Sequence, residues 1–295
     1  MIISASRRTD LPAFYTPWFI QRIEEGFCRW QNPFNPKQTK FVSLRPEDVT
    51  AFVFWSKNPK PLLPYLPLLD RYGYRYYFQY TLNSYPLFEP LLPELSERLA
   101  VFRKLSQQLG AERVVWRYDP IIISSATPFQ HHLSTFDQLA SSLEGAAGRV
   151  VISFFDYYPK LKLRFAALEQ TSGIKLQDPF STPQQLREFC QNLAEIAVKY
   201  GMEIFSCCED LPEECGIQPG ACIDEALLAA MGVDAMLPKD KGQRKNCLCR
   251  ISTDLGAYNT CRHNCLYCYA NGSPKAVERR ISCHDPADPY FCRIK

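Results

Sequence analysis

Short runs of apolar, β-branched or aromatic residues recur along the chain, with amphipathic stretches between them. The runs at 2–6, 51–55, 74–80, 113–117, 150–154 and 202–206 have the length and composition of buried strands. Between them, 93–109 repeats apolar residues at Leu95, Leu99, Phe102, Leu105 and Leu109, which makes one helical stripe. The stretch 183–200 does the same with Leu186, Phe189, Leu193 and Ile196; Cys190 fits its buried face, and Thr182 before Pro183 marks its start. Helices are also expected over 131–143 and 224–231, whereas Pro61, Pro64 and Pro67 restrict the segment after the second strand to a short or kinked helix. This alternation predicts an α/β fold: a complete or partial (β/α) barrel of six or more βα units, with an open doubly wound sheet as the alternative. A polar stretch over 238–246 leads into a cysteine-rich end, so the expected division is a β/α barrel domain over 1–237 and a cysteine-rich segment over 238–295 packed on it.

Composition narrows the function. A chain of 295 residues that is 46% hydrophobic can fill a sizeable core. Its 34 basic and 31 acidic residues leave a net charge of +3, which does not support a nucleic-acid or membrane partner. No stretch has the roughly 20 apolar residues of a membrane span, and the opening residues do not read as a signal peptide. The expected location is therefore cytoplasmic. In a reducing compartment, clustered thiols bind metal more often than they pair as disulfides. Of the 13 cysteines, only Cys28 and Cys190 precede Cys207.

Cys261, Cys265 and Cys268 stand in a C-x3-C-x2-C spacing, so three thiolates on one short loop can hold three irons of a 4Fe-4S cluster and leave the fourth open. An open iron lets a small molecule chelate the cluster directly, whereas a fully ligated cluster transfers electrons. The spacing, with Tyr267 before the third cysteine and Tyr269 after it, resembles the cluster loop of the radical S-adenosylmethionine (SAM) superfamily. There the open iron binds the amino and carboxylate groups of SAM, and one electron cleaves SAM to a 5′-deoxyadenosyl radical. The alternative is structural zinc completed by His263 or another cysteine, although zinc sites usually pair two short hooks across a loop. Otherwise His263 is a solvated neighbour of the loop.

A second metal site is expected from Cys207, Cys222, Cys247 and Cys249, where a strand end, a helix start and a C-x-C hook can converge. Four ligands would close it as a relay or structural cluster, and zinc suits four thiolates equally well. Cys208 and Cys215 are substitutes for a member of this set, and Cys283 and Cys292 have no evident partner.

In β/α barrels the residues just past the strands line the mouth. Those positions carry Arg7, Arg8 and Asp10, then Trp55, Lys57 and Asn58, then Arg117, Tyr118 and Asp119, and then Asp156, Tyr157 and Tyr158. Arg7, Arg8 and Arg117 are the expected contacts to SAM or to an anionic substrate. An ion-pair network, with Asp10 as a helix cap before Pro12, is the structural alternative. Trp30, Phe34 and the Pro-rich stretch 32–36 are read as a loop cover.

The strings SASRRTDLPAFY, VFWSKNPKPLLPYL, YRYYFQYTLN, VVWRYDPI, GACIDE, KDKGQRKNCLCR and YNTCRHNCLYCYAN together resemble domain-of-unknown-function family 1848 over nearly the whole chain. The resemblance implies cysteines at the seven positions of the two sets and a C-terminal cluster similar to that of radical-SAM proteins; it names no substrate. Radical-SAM enzymes carry their loop after the first barrel strand, so its place here implies a permuted barrel with 250–254 as the strand leading to the loop. The function expected is a radical-SAM enzyme with 4Fe-4S and SAM as cofactors and a ferredoxin or flavodoxin as electron donor. The alternatives are a non-catalytic iron–sulfur electron-transfer or redox-sensing protein and a zinc-stabilised binding protein. The NCLYCYA string also resembles spore photoproduct lyase relatives, which raises a nucleic-acid substrate.

Overall fold

The computed structural model describes residues 1–233 and 237–293. It is a mixed α/β fold built on an eight-stranded sheet whose neighbouring strands all pair in parallel. Five strands run in chain order through its middle: β4 (Ala51–Ser56), β5 (Tyr76–Thr81), β6 (Val114–Ile121), β7 (Arg149–Phe154) and β8 (Glu203–Cys207). β1 (Ile2–Ala5) lies beside β4, β9 (Gln218–Gly220) beside β8, and β10 (Thr253–Asp254) beside β1 at the other edge. The segment expected at 250–254 is thus a strand of the sheet, shortened to Thr253–Asp254, and it leads directly to the cysteine triplet.

The central strands are buried on both faces, as parallel strands covered by helices must be. Their side chains alternate. Phe52, Phe54, Tyr76, Phe78, Val114, Trp116 and Tyr118 pack into a cluster with the helix layer, and Val53, Tyr77, Val115, Val151 and Phe205 pack on the opposite side with Cys207, Cys222, Cys247 and Cys249. The helix layer includes α2 (Thr16–Glu25), which follows the single turn α1 (Leu11–Phe14), then α3 (Leu66–Arg71), α4 (Leu95–Leu109) and α5 (Phe129–Leu143), and, after α6 (Lys162–Ser172), which packs apart through Phe165 on Tyr85 and Phe88, α7 (Pro183–Lys199). α8 (Glu225–Ala230) and α9 (Pro274–Ile281) complete the nine α-helices among the described residues, none of which is long and apolar enough to cross a membrane. The inner side of the sheet curls far enough that Tyr77 and Gln79 on β5 both donate to the Cys222 carbonyl beyond β9, at 2.7 and 2.9 Å. Between the two edges the Arg250 amide donates to Ile223 O at 3.2 Å.

One expectation is corrected. The stretch around Trp30 and Phe34 is not a loop but an antiparallel hairpin of β2 (Phe27–Asn32) and β3 (Asn35–Ser43), with Phe34 at its turn. β3 is exposed over most of its length and polar, so it carries no alternating apolar signal.

Candidate functional site

The C-terminal end of the sheet opens into a cavity of ≈ 840 Å3. Every strand of the sheet lends it a residue from its C-terminal end or from the turn that follows: Arg7 after β1, Ser56 on β4, Thr81 on β5, Arg117 on β6, Ser153 on β7, Cys207 on β8, Cys222 after β9 and Asp254 on β10. All seven cysteines of the two expected sets line it, as do Arg7, Arg8 and Arg117. Cys208 lines it too, whereas Cys215 lies outside, buried against Cys190 and the carbonyl of Arg187. Cys283 and Cys292 bond to the carbonyls of Arg279 and Arg280, away from this cavity.

The triplet loop is fastened at many points. Tyr15 Oη donates to Thr260 O at 2.6 Å, Asn271 Nδ2 to Cys261 O at 2.8 Å, and the Leu266 amide to Phe88 O at 2.9 Å. Arg164 on α6 reaches four loop carbonyls, those of Leu266 (3.1 Å), Cys268 (3.4 Å), Asn271 (2.7 Å) and Gly272. Asn259 and Asn264 take left-handed backbone angles, φ 61° and 52°, which asparagine tolerates better than most residues. The strand before the loop is anchored by Asp254, which accepts from Ser4 Oγ (2.9 Å), Ser6 Oγ (2.7 Å) and the amides of Arg7 and Gly256 (both 2.9 Å). A Cβ on Gly256 would fall 2.0 Å from Ser6 Oγ, so only glycine fits there.

His263 is buried rather than solvated. Its Nε2 lies 2.7 Å from Asp10 Oδ2, and its ring packs on Phe14. Asp10 caps α1 through the Ala13 amide and also accepts from Ser56 Oγ and the Lys57 amide, each at 2.7 Å, so the expected cap is one of several bonds. Burial alone would raise its carboxyl pKa, but the bonds from His263, Lys57 and Ser56 hold it below the usual range. Beside Cys265, Lys57 Nζ sits 2.7 Å from the buried Glu89, which also accepts from Tyr267 Oη. Burial pushes the Cys265 thiol well up, and the Lys57 charge opposes it; burial first, then the charges of Cys268 and Asp10, push Cys261 up to about 12. Neither Glu89 nor Arg164 stands out in the sequence, because each meets the loop only through the fold.

The second set differs in charge. Cys207 Sγ and Cys222 Sγ are 3.3 Å apart, and the Cys222 amide donates to Cys249 Sγ at 3.3 Å. Hydrogen bonds from Cys207 and then Cys249, followed by the charges of Arg117 and Arg7, hold Cys222 well below the usual thiol range. A bond from Cys249 brings Cys247 down to about 6. Arg117 directs NH1 at Cys222 Sγ (3.0 Å) and Gln79 Oε1 (3.3 Å), and holds Asp119 through Nε (2.9 Å) and NH2 (2.6 Å). Its fork is therefore committed to the thiol and to Asp119. Tyr118 and Asn58 do not line the cavity; Tyr118 alternates to the helix side, where its hydroxyl meets His132 Nδ1 at 2.8 Å. Tyr157 packs against Phe155 and Phe165 instead.

Arg7 lies over Trp55 (5.1 Å) with NH1 4.0 Å from Asp240, and Arg8 over Tyr258 (5.2 Å) with NH1 3.9 Å from Asp254. Arg7 NH2, Arg8 NH1, Thr9 Oγ1 and His263 Nδ1 are buried without a hydrogen-bond partner. Among the described residues, no three His, Cys, Asp or Glu side chains surround one point as a single ion requires. A cubane cluster spreads its thiolates more widely, and buried thiols and orphaned polar atoms facing a cavity of this size fit a group of that size.

A family model described as a domain of unknown function, DUF1848, matches residues 2–270, a span that holds both cysteine sets and stops just after the triplet. No curated protein matches the chain, and no solved structure does.

Proposed function

The chain belongs to the DUF1848 family, whose description names no activity, and from that premise we propose that it is an iron–sulfur enzyme of the radical-SAM type. The observation that carries this reading is the gathering of all seven cysteines and three arginines around one cavity. The curled sheet is then a partial, permuted β/α barrel whose mouth is the site. Cys261, Cys265 and Cys268 would hold a 4Fe-4S cluster with one iron free of protein thiolate, and Cys207, Cys222, Cys247 and Cys249 would hold a closed one. When bound, the open cluster supplies an electron, from a ferredoxin or flavodoxin, that cleaves SAM and starts hydrogen abstraction from the substrate.

The chain's own residues have separable tasks. Arg164, Asn271 and Tyr15 fix the loop backbone so that its thiols face the cavity. Lys57 and Arg117 each bring a positive charge to one thiol set and offset the negative charge that thiolates add in a buried site. Arg7, with an unpaired NH2 and with Cys222 and Cys249 of the second set near its guanidinium, is the group placed to meet a carboxylate in the cavity. Tyr77 and Gln79 hold the Cys222 backbone from across the sheet.

One observation favours a second reading for the second set. The 3.3 Å approach of Cys207 and Cys222 is near the roughly 3.8 Å edge of a tetrahedron with 2.3 Å zinc–sulfur bonds, so zinc there is the competitor. The deciding experiment purifies the protein anaerobically, counts iron, sulfide and zinc per chain, and assays reductive SAM cleavage in wild type and Cys265→Ala. Cleavage that disappears in the variant supports the proposal. Iron without cleavage points to an electron-transfer or redox-sensing protein, and zinc without iron to a zinc-stabilised binding protein.

A further inference from the structure

The lip of the cavity is built differently from its floor. At the floor the charges are paired, but the lip alternates aromatic rings with lysines that have no carboxylate. Phe34, at the hairpin turn, is 83% exposed while lining the cavity, and its ring centroid is 6.1 Å from that of Tyr258. Lys40 Nζ lies 5.2 Å from the Trp30 ring and donates to Thr253 Oγ1 at 3.2 Å; Lys160 is not among the lining residues, but its Nζ lies 5.8 Å from the ring of Tyr258, which is. Asp156, Asp240 and Asp254, the carboxylates near this lip, each face an arginine: Arg244, Arg7 and Arg8. Lys40 and Lys160 have no ion-pair partner among the described residues, and Arg8, its guanidinium 5.2 Å from the Tyr258 ring, keeps a buried NH1 without a hydrogen bond.

We infer that this lip binds a nucleotide, with the base stacked on Phe34 and Tyr258 and the phosphate held by Lys40, Lys160 and Arg8. Rings that offer a flat apolar face, interleaved with cations at about 5–6 Å, are how proteins take stacked bases and their phosphates without base-specific hydrogen bonds. An isolated exposed phenylalanine needs no explanation. One that stands at the mouth of a cavity, beside a second ring and unneutralised cations, forms a surface with the two chemistries of a nucleotide. The near-neutral total charge of the chain does not bear against this, because such a site depends on its local cations, here Lys40 and Lys160, rather than on the net charge. The inference names the substrate class of the cavity proposed above and rests on that reading. It makes the nucleotide the molecule presented to the radical chemistry, whether free or as one unit of a single strand.

The test measures fluorescence anisotropy of a labelled single-stranded oligonucleotide, with unlabelled nucleoside monophosphate as competitor, on the full chain purified anaerobically, with and without saturating SAM. Strand binding that weakens with rising salt and falls about tenfold or more in Phe34→Ala, returns in Phe34→Trp, and weakens in Lys40→Glu and Lys160→Glu supports the inference. Displacement by the monophosphate at equal base concentration assigns the source as a free nucleotide; resistance to it assigns a strand. Binding of neither, binding indifferent to Phe34→Ala, or full displacement by SAM overturns the inference. Iron content and SAM cleavage in the wild type are read separately, so loss of the enzyme reading and loss of the nucleotide reading give different results.

Discussion

The two thiol sets share a cavity but are assembled in opposite ways. The triplet comes from one short loop whose geometry is set by backbone bonds, and its Cys261 and Cys265 thiols are held protonated by burial. The second set is gathered from three separate segments, and it already carries thiolate character at Cys222 and Cys247. The fold sets charge in advance at the second set and shape in advance at the triplet. A loop that offers three ligands can leave an iron free for chemistry, whereas four ligands drawn from three segments can lock a group in place.

The largest effect expected separates the sets outright. Cys265→Ala should remove about half the iron and all SAM cleavage, whereas Cys222→Ala should remove the other half and leave the triplet cluster visible by absorption and EPR. Loss of all iron in both variants would break the distinction. Next in size is reactivity. In metal-free protein, peptide mapping after brief alkylation should show Cys247 modified already near pH 7, because a thiol lowered to about 6 is mostly thiolate there. Cys261, raised to about 12 by burial, should react only as the solution becomes strongly alkaline. Equal rates at pH 7 would mean that access, not charge, governs both sites.

Arg117→Met should cost about 3 kcal/mol in denaturant unfolding, because it strips a buried partner from Asp119 and Cys222. A cost within the range of surface substitutions would show that the guanidinium is not needed to support the second set. The smallest effect belongs to Arg164→Ala. It should lower stability by about 1 kcal/mol and speed chelator removal of iron from the triplet while leaving the second set unchanged. Equal acceleration at both sets would dissolve the idea that α6 fastens only the loop.

Much of this was legible because parallel strands buried on both faces announce themselves as unbroken apolar runs. All six expected strands are present, and so are the helices begun by Pro183 and followed by Gly110. The hairpin and α6 were not legible: β3 is polar and exposed, and α6 buries only Phe165, so neither shows a hydrophobic period. The triplet was readable from its spacing, and the second set from the strand end, helix start and C-x-C hook on which its members fall; all seven cysteines line the cavity, as does Cys208. What spacing could not give is the environment of each thiol. The pairing of Lys57 with Glu89 beside Cys265, the burial of His263 on Asp10, and the commitment of Arg117 to Cys222 join residues far apart in the chain.

An iron of the triplet cluster left open to SAM is the step that would separate an enzyme from an electron carrier. The most direct measurement is the low-temperature EPR spectrum of the reduced protein before and after SAM is added, in Cys222→Ala so that only the triplet cluster contributes. The account predicts a 4Fe-4S signal whose g-values shift on SAM addition; an iron–sulfur signal that SAM leaves unchanged would contradict it.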